Sequence, residues 1–123
     1  MRRGLIVLLA TAALLSAAAS AATHPNGLYG VVRKGPTTPV CRVGVPCDAP
    51  AQVTLIFSKA GKQAARIRST KATGSYRIAL APGYYTVATL EKVGVGRDIK
   101  PRTVHVRRAH WDKLNFFIDT GIR

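Results

Sequence analysis

Apolar and polar residues alternate along most of the chain beyond residue 50, and short turn signals cut that alternation into strand-length pieces. The clearest case is residues 73–87. Lys71-Ala72-Thr73-Gly74 and Pro82-Gly83 bracket a run in which Tyr76, Ile78 and Leu80 alternate with Ser75, Arg77 and Ala79. Period-2 alternation between Gly and Pro-Gly breakers is the pattern of a half-buried strand between tight turns. Read the same way, the chain gives seven strands. Residues 28–33 form the first, and a Pro- and Gly-rich irregular segment, 34–51, follows it. Residues 52–58 are the second strand and 63–69 the third. The stretches on either side of Pro82-Gly83 are the fourth and fifth, with 93–96 a flexible loop or bulge. Residues 102–107 are the sixth and 113–119 the seventh. Nothing has a helical period, so the expected fold is all-β, a seven-stranded antiparallel β-sandwich. Its expected core includes Val53, Leu55, Phe57, Ile67, Tyr76, Ile78, Leu80, Tyr85, Val87, Val104, Val106, Leu114, Phe116 and Ile118.

A four-residue loop at 71–74 predicts a hairpin in which Ser69 faces Tyr76, Ile67 faces Ile78 and Ala65 faces Leu80. This register sorts the apolar residues onto one side, and a one-residue slip would scramble it. On the other side Arg68 faces Arg77, with Arg66 nearby. Like charges across a strand pair repel, and a bound anion would turn that repulsion into attraction. Arg66, Arg68 and Arg77, extended by Lys59, Lys62 and Lys71, are therefore the expected anion-binding face.

The same stretch carries a family resemblance. The turn Gly74 followed by Leu80-Ala81-Pro82-Gly83-Tyr84-Tyr85-Thr86-Val87 resembles the core of carboxypeptidase regulatory-like domains. The end of the chain, Asp119-Thr120-Gly121-Ile122-Arg123, is similar to the tail of small bacterial secreted proteins built on that module. The resemblance implies a secreted, prealbumin-like or Ig-like sandwich and names no activity. The family usually carries an Asp two or three residues before the turn Gly. Here Lys71-Ala72-Thr73 stands in that place, so a role of that Asp in capping or cation binding does not carry over. A prealbumin-like hydrolase of oxidised purines ends in Tyr-Arg-Gly-Ser, and this chain ends in Thr120-Gly121-Ile122-Arg123, so that activity does not carry over either.

The first 22 residues depart from the β pattern. Arg2 and Arg3 precede an apolar run, residues 5–15, which ends in a small-residue tract, 16–22. That is the layout of a secretory signal peptide cut after Ala21 or Ala22. It leaves residues 23–123 as one small domain, exported to the periplasm, envelope or exterior, with no later segment apolar enough to span a bilayer. A domain of this size buries a modest core, and a covalent staple would help it. In an oxidising compartment Cys41 and Cys47 are expected to form a disulfide across the 34–51 loop.

Charge changes the picture further. Without Arg2 and Arg3 the 19 basic residues become seventeen, against five acidic ones, for a mature net charge of +12. A field of that sign concentrates polyanions, acidic lipid or nucleic acid at the surface, although charge also serves solubility. Sequence-specific nucleic-acid reading has no motif here. Tyr76, Tyr85 and Phe116 are committed to the core, leaving Tyr29, Tyr84, Trp111 and Phe117 as candidates for exposed rings.

Catalysis has no constellation to rest on. The few carboxylates fall in loops or at strand ends, and His105 alternates with apolar Val104 and Val106 so that it faces solvent. No cofactor is implied. One metal pattern stands out: cleavage after Ala21 would leave Ala22-Thr23-His24 as the terminus, a planar nitrogen set for Cu(II) or Ni(II). Cleavage after Ala22 would abolish it. The reading as a whole is a secreted, non-catalytic sandwich module with a binding or structural role in the envelope or exterior. An acidic polysaccharide or another envelope component is its candidate partner. The alternatives are a basic face whose main task is to bind acidic polymers and, more distantly, a protease-inhibitor-like loop presenting Arg42 between Cys41 and Cys47.

Overall fold

The computed structural model describes residues 25–93 and 98–122. The expected signal segment, 1–22, and the metal candidate His24 lie outside the described residues, as does most of the 93–96 loop. Ten short strands follow one another with no helix among the described residues: β1 (Gly27–Gly35), β2 (Ala49–Pro50), β3 (Thr54–Lys59), β4 (Lys62–Arg68), β5 (Ser75–Ala79), β6 (Gly83–Thr89), β7 (Asp98–Lys100), β8 (Thr103–Val106), β9 (Trp111–Lys113) and β10 (Phe116–Asp119). They form two sheets, one of six strands and one of four.

Strand β1 is the axis of the larger sheet. Its inward residues Leu28 and Val32 are fully buried, and Tyr29, Val31 and Arg33 alternate with them on the outer side. Along one side β1 pairs antiparallel with β5 over its first half and with β2 over its second. Along the other it runs parallel to β9 and then to β10, and β7 closes that edge against β10. The sheet is therefore mixed, not purely antiparallel, and the strand count is ten, not seven. The expected seventh strand is split at Leu114-Asn115, where the Asn115 side chain accepts from the Val31 N–H at 3.0 Å in place of a ladder carbonyl. Strand β2 is a two-residue piece within the 34–51 segment expected to be irregular, and β7 is a three-residue piece between the expected 93–96 loop and the expected sixth strand.

The smaller sheet is antiparallel in the order β4-β3-β6-β8. Its inner face brings Leu55, Phe57, Tyr85, Val87, Val104 and Val106 against Val32, Tyr76, Ile78, Phe116 and Ile118 of the larger sheet. Phe57 meets Phe116 across the two sheets with ring centroids 6.3 Å apart, and Tyr85 edge-on at 6.5 Å. Such tilted contacts suit the ring quadrupoles and add to the burial of large apolar area. Twelve of the expected core residues are buried, and Ile67 and Leu114 pack partly buried against them. Leu28, Val32, Ala51, Val93 and Ile99 complete the core.

The expected hairpin between residues 65–69 and 76–80 does not form. Strand β4 pairs with β3 (Ile67 opposite Leu55) and β5 with β1 (Ile78 opposite Leu28), so the two strands belong to different sheets. Residues 69–74 make a corner between the sheets. Ser69 is buried there, its hydroxyl donating to the Ala51 carbonyl at 2.6 Å and accepting from the Val53 N–H at 2.9 Å. Gly74 has φ +72°, and a Cβ there would run into the Val32 carbonyl oxygen. A buried serine and a positive-φ glycine together turn the chain out of one sheet and into the other. Arg68 and Arg77 are consequently not cross-strand neighbours.

The Cys41–Cys47 disulfide closes the loop between β1 and β2 with Cα atoms 5.5 Å apart. The Val45 N–H bonds back to the Arg42 carbonyl at 3.1 Å, with Gly44 at φ +82°, so the loop ends in a tight turn that presents Val43 wholly to solvent. Among the described residues no helix is long and apolar enough to cross a membrane.

Candidate functional site

The outer face of the six-stranded sheet gathers aromatic and cationic side chains in rows set by the register. Directly paired residues project to the same side of a sheet. Tyr29 lies between Arg77 of β5 and Lys113 of β9. Two residues away along β1, Gly27 pairs with Trp111. In the other direction Arg33 pairs with Phe117, which pairs with Lys100. Each of these outer positions follows from strand alternation: the residues between them, Leu28, Ile78, Phe116 and Ile99, are buried in the core.

The Trp111 row depends on a glycine. A Cβ on Gly27 would come within 2.6 Å of the indole, so the ring lies across the backbone of β1 where no side chain stands. It thereby reaches the Arg77 guanidinium from the far side of β1, with the guanidinium carbon 3.9 Å from the ring centroid, a close cation–π contact. Tyr29 and Phe117 remain about 40% exposed. Arg77, Lys100 and Lys113 take part in no ion pair among the described residues, whereas Arg33 is held to Asp48 at 2.7 Å. Beyond Arg33 the face turns acidic, since Asp98 and Asp119 are paired partners on β7 and β10.

An open groove of about 540 Å³ adjoins the Tyr29 row at the edge where β4 and β5 approach. Arg68 and Arg77 both line it, with Lys113 and the hydroxyls of Thr70 and Ser75. Those hydroxyls lie 3.0 Å apart, and Thr73 bonds to both.

The expected anion-binding residues are thus distributed over the molecule. Arg77 lies on the outer face of the larger sheet and Arg68 reaches the same groove, where it also pairs with Glu91 at 3.7 Å. Arg66 stands opposite Ile56 on the smaller sheet and bonds to Gln63. Lys59 donates to the Pro82 carbonyl and lies over the Tyr85 ring. Lys62 and Lys71 are exposed and do not line the groove, although Lys71 follows Thr70, which does. Tyr29, Lys113, Trp111 and Lys100 join the face through pairings that the sequence does not display. The usable signal was their period: Trp111 and Lys113 alternate with Asp112, and Tyr29 alternates with Leu28.

The carboxylates that show a shift are engaged in holding structure. Asp112 accepts from Arg107 at 2.6 and 3.1 Å, and hydrogen bonding to that guanidinium holds its carboxyl below the usual range; Arg33 does the same for Asp48. Glu91 is lowered chiefly by the Thr54 N–H, 2.7 Å away. Burial pushes the Tyr76 phenol well above its usual value, and its hydroxyl donates to the Leu114 carbonyl at 2.6 Å. His105 lies on the outer face of the smaller sheet, stacked on its partner Tyr84 with centroids 4.1 Å apart. These groups are arranged as clamps within and between strands, and the chemistry the outer face of the larger sheet offers is non-covalent: forked hydrogen bonds from guanidinium, point charges from ammonium, and ring stacking. Compared with known proteins, the chain matches no family model, no curated protein and no solved structure.

Proposed function

We propose that the chain is an exported, non-catalytic β-sandwich that serves as a binding module of the cell envelope or exterior, and that its partner is an acidic polymer held on the outer face of the six-stranded sheet. One observation carries this reading: Arg77, Lys113 and Lys100 are interleaved with Tyr29, Trp111 and Phe117 on an exposed sheet face, and none of the three cations is neutralised by a carboxylate among the described residues. A flat strip of cations and rings engages an extended polyanion better than a compact substrate.

The signal-like N-terminus, the disulfide and the resemblance to carboxypeptidase regulatory-like domains support the exported half of the proposal. The inhibitor-like alternative draws less support. Its loop ends in a closed turn with Val43 at the tip, whereas a substrate-like inhibitor offers an extended segment that adds to the enzyme as a strand.

Retention on an immobilised anionic glycan across a salt gradient tests the proposal. Lys100→Ser/Lys113→Ser should elute at distinctly lower salt than wild type, and Arg42→Ser/Lys62→Ser, which removes the same charge elsewhere, should elute near it. Equal shifts in both variants would show that net charge alone drives retention. A wild type that fails to bind at low salt would overturn the proposal.

A further inference from the structure

We infer that the row Arg77–Tyr29–Lys113, with the groove beside it, is a subsite for one residue of a linear acidic polysaccharide: the sugar ring lies on Tyr29, and its carboxylate or sulfate is held between the two flanking cations. This rests on the acidic-polymer reading above and gives it a ligand class.

The geometry is that of a small cradle. Strand spacing places Arg77 and Lys113 about 10 Å apart at their Cα atoms with Tyr29 midway, a span that one sugar ring and its charged substituent fill. Arg77 is oriented in advance. Its guanidinium face rests on Trp111, and stacking by the face leaves the in-plane N–H donors able to fork onto an anion. Trp111 can occupy that position only because residue 27 is glycine, so the aim of Arg77 is fixed by the backbone of the central strand. At the groove the paired hydroxyls of Thr70 and Ser75 supply neutral donors and acceptors of the kind that sugar hydroxyls meet.

The same features disfavour a nucleobase. The largest ring on this face, Trp111, is already stacked by Arg77. Tyr29 is 38% exposed, which leaves a narrow platform, and stacking platforms for single strands need broad free ring faces in succession.

Trp111 is the chain's single tryptophan, and it touches the arginine that would hold the anion, so a charge bound there alters its surroundings. The mature protein is titrated with an oligogalacturonate, with a sulfated heparin oligosaccharide, with neutral dextran and with an oligothymidylate matched in charge, following indole emission. A saturable change with at least one acidic oligosaccharide is expected, none with dextran, and weaker binding of the oligothymidylate. The carboxylated and sulfated probes separate the two kinds of anion. Tyr29→Ala should weaken the acidic oligosaccharide about tenfold, the scale of one lost ring contact. Tyr29→Phe, which keeps ring and fold, should bind like wild type. Two results overturn the inference: Tyr29→Ala binding as tightly as wild type while its thermal melt is unchanged, or the oligothymidylate binding as tightly as the acidic sugars. Absence of wild-type binding to every acidic probe would instead sink the parent reading.

Discussion

Arg77 and Trp111 stack with the guanidinium carbon 3.9 Å from the indole centroid, although their strands lie on opposite sides of β1. The contact spans the central strand because Gly27 leaves its outer side bare. Gly27→Ala should therefore act on the indole and on the neighbouring strand together, because a Cβ there meets the Ile78 backbone carbonyl as well as the ring. The added methyl displaces the ring and crowds the Ile78 carbonyl, at a cost of about 1–3 kcal/mol in urea unfolding. The emission of Trp111 should shift to longer wavelength as the ring meets water. An unchanged spectrum would mean the ring does not lie across residue 27.

Ser69 makes a second local prediction. Its buried hydroxyl satisfies both the Ala51 carbonyl and the Val53 N–H. Ser69→Ala leaves those groups short of a partner inside the protein, so it should cost about 1–3 kcal/mol. Ser69→Thr, which keeps the hydroxyl, should recover part of that loss if the site admits the extra methyl. Chemical denaturation of the three proteins checks the order.

Glu91 predicts the acid side of the stability curve. Its carboxylate accepts from the Thr54 N–H and hydroxyl and lies near Arg68, which lowers its pKa in the folded state below the ordinary 4.5. A folded pKa that is lowered gives stability fully present above the unfolded value and lost as pH falls through the folded one. Stability should thus decline below about pH 4.5. Asp48 and Asp112 are lowered too and add to the slope in the same direction. Glu91→Gln should be less stable than wild type at pH 7 and fall less steeply on acidification. Parallel curves for the two proteins would remove Glu91 from the account.

The disulfide predicts a modest loss. In the chain-entropy picture a loop as short as the one between Cys41 and Cys47 contributes about 2 kcal/mol. Cys41→Ser/Cys47→Ser should lose roughly that much. Native protein should resist alkylation until reduced, and reduction should add two hydrogens to its mass.

The sequence showed which way each side chain points far better than which strand it lies beside. Alternation placed Ile67 and Ile78 on inward faces, and both do point inward. That alternation is satisfied equally when two strands are neighbours in one sheet and when they face each other from opposite sheets, and here the second arrangement holds. The information that decides between them sits in the corner, in buried Ser69 and in the positive φ of Gly74, and in contacts with residues distant along the chain. The candidate site was legible to the same degree. Tyr29, Trp111 and Phe117 stood out as rings that could be exposed, and Arg77 as an outward cation, but their meeting depends on a parallel ladder between the first and last strands. No local pattern encodes a parallel ladder, because its partners are separated by almost the whole domain.

That ladder also constrains how the protein can be made. The Val31 N–H finds its acceptor on Asn115, 84 residues further along. A chain emerging from the ribosome N-terminus first carries β1 with one entire side unmatched until β9 and β10 have followed it out. Because β1 is the centre of its sheet, the larger half of the sandwich cannot assemble before then, and closure over such a separation is slow compared with local turns. The larger sheet therefore cannot complete itself while the chain is still being made, and it closes only once the strand at residues 116–119 has emerged.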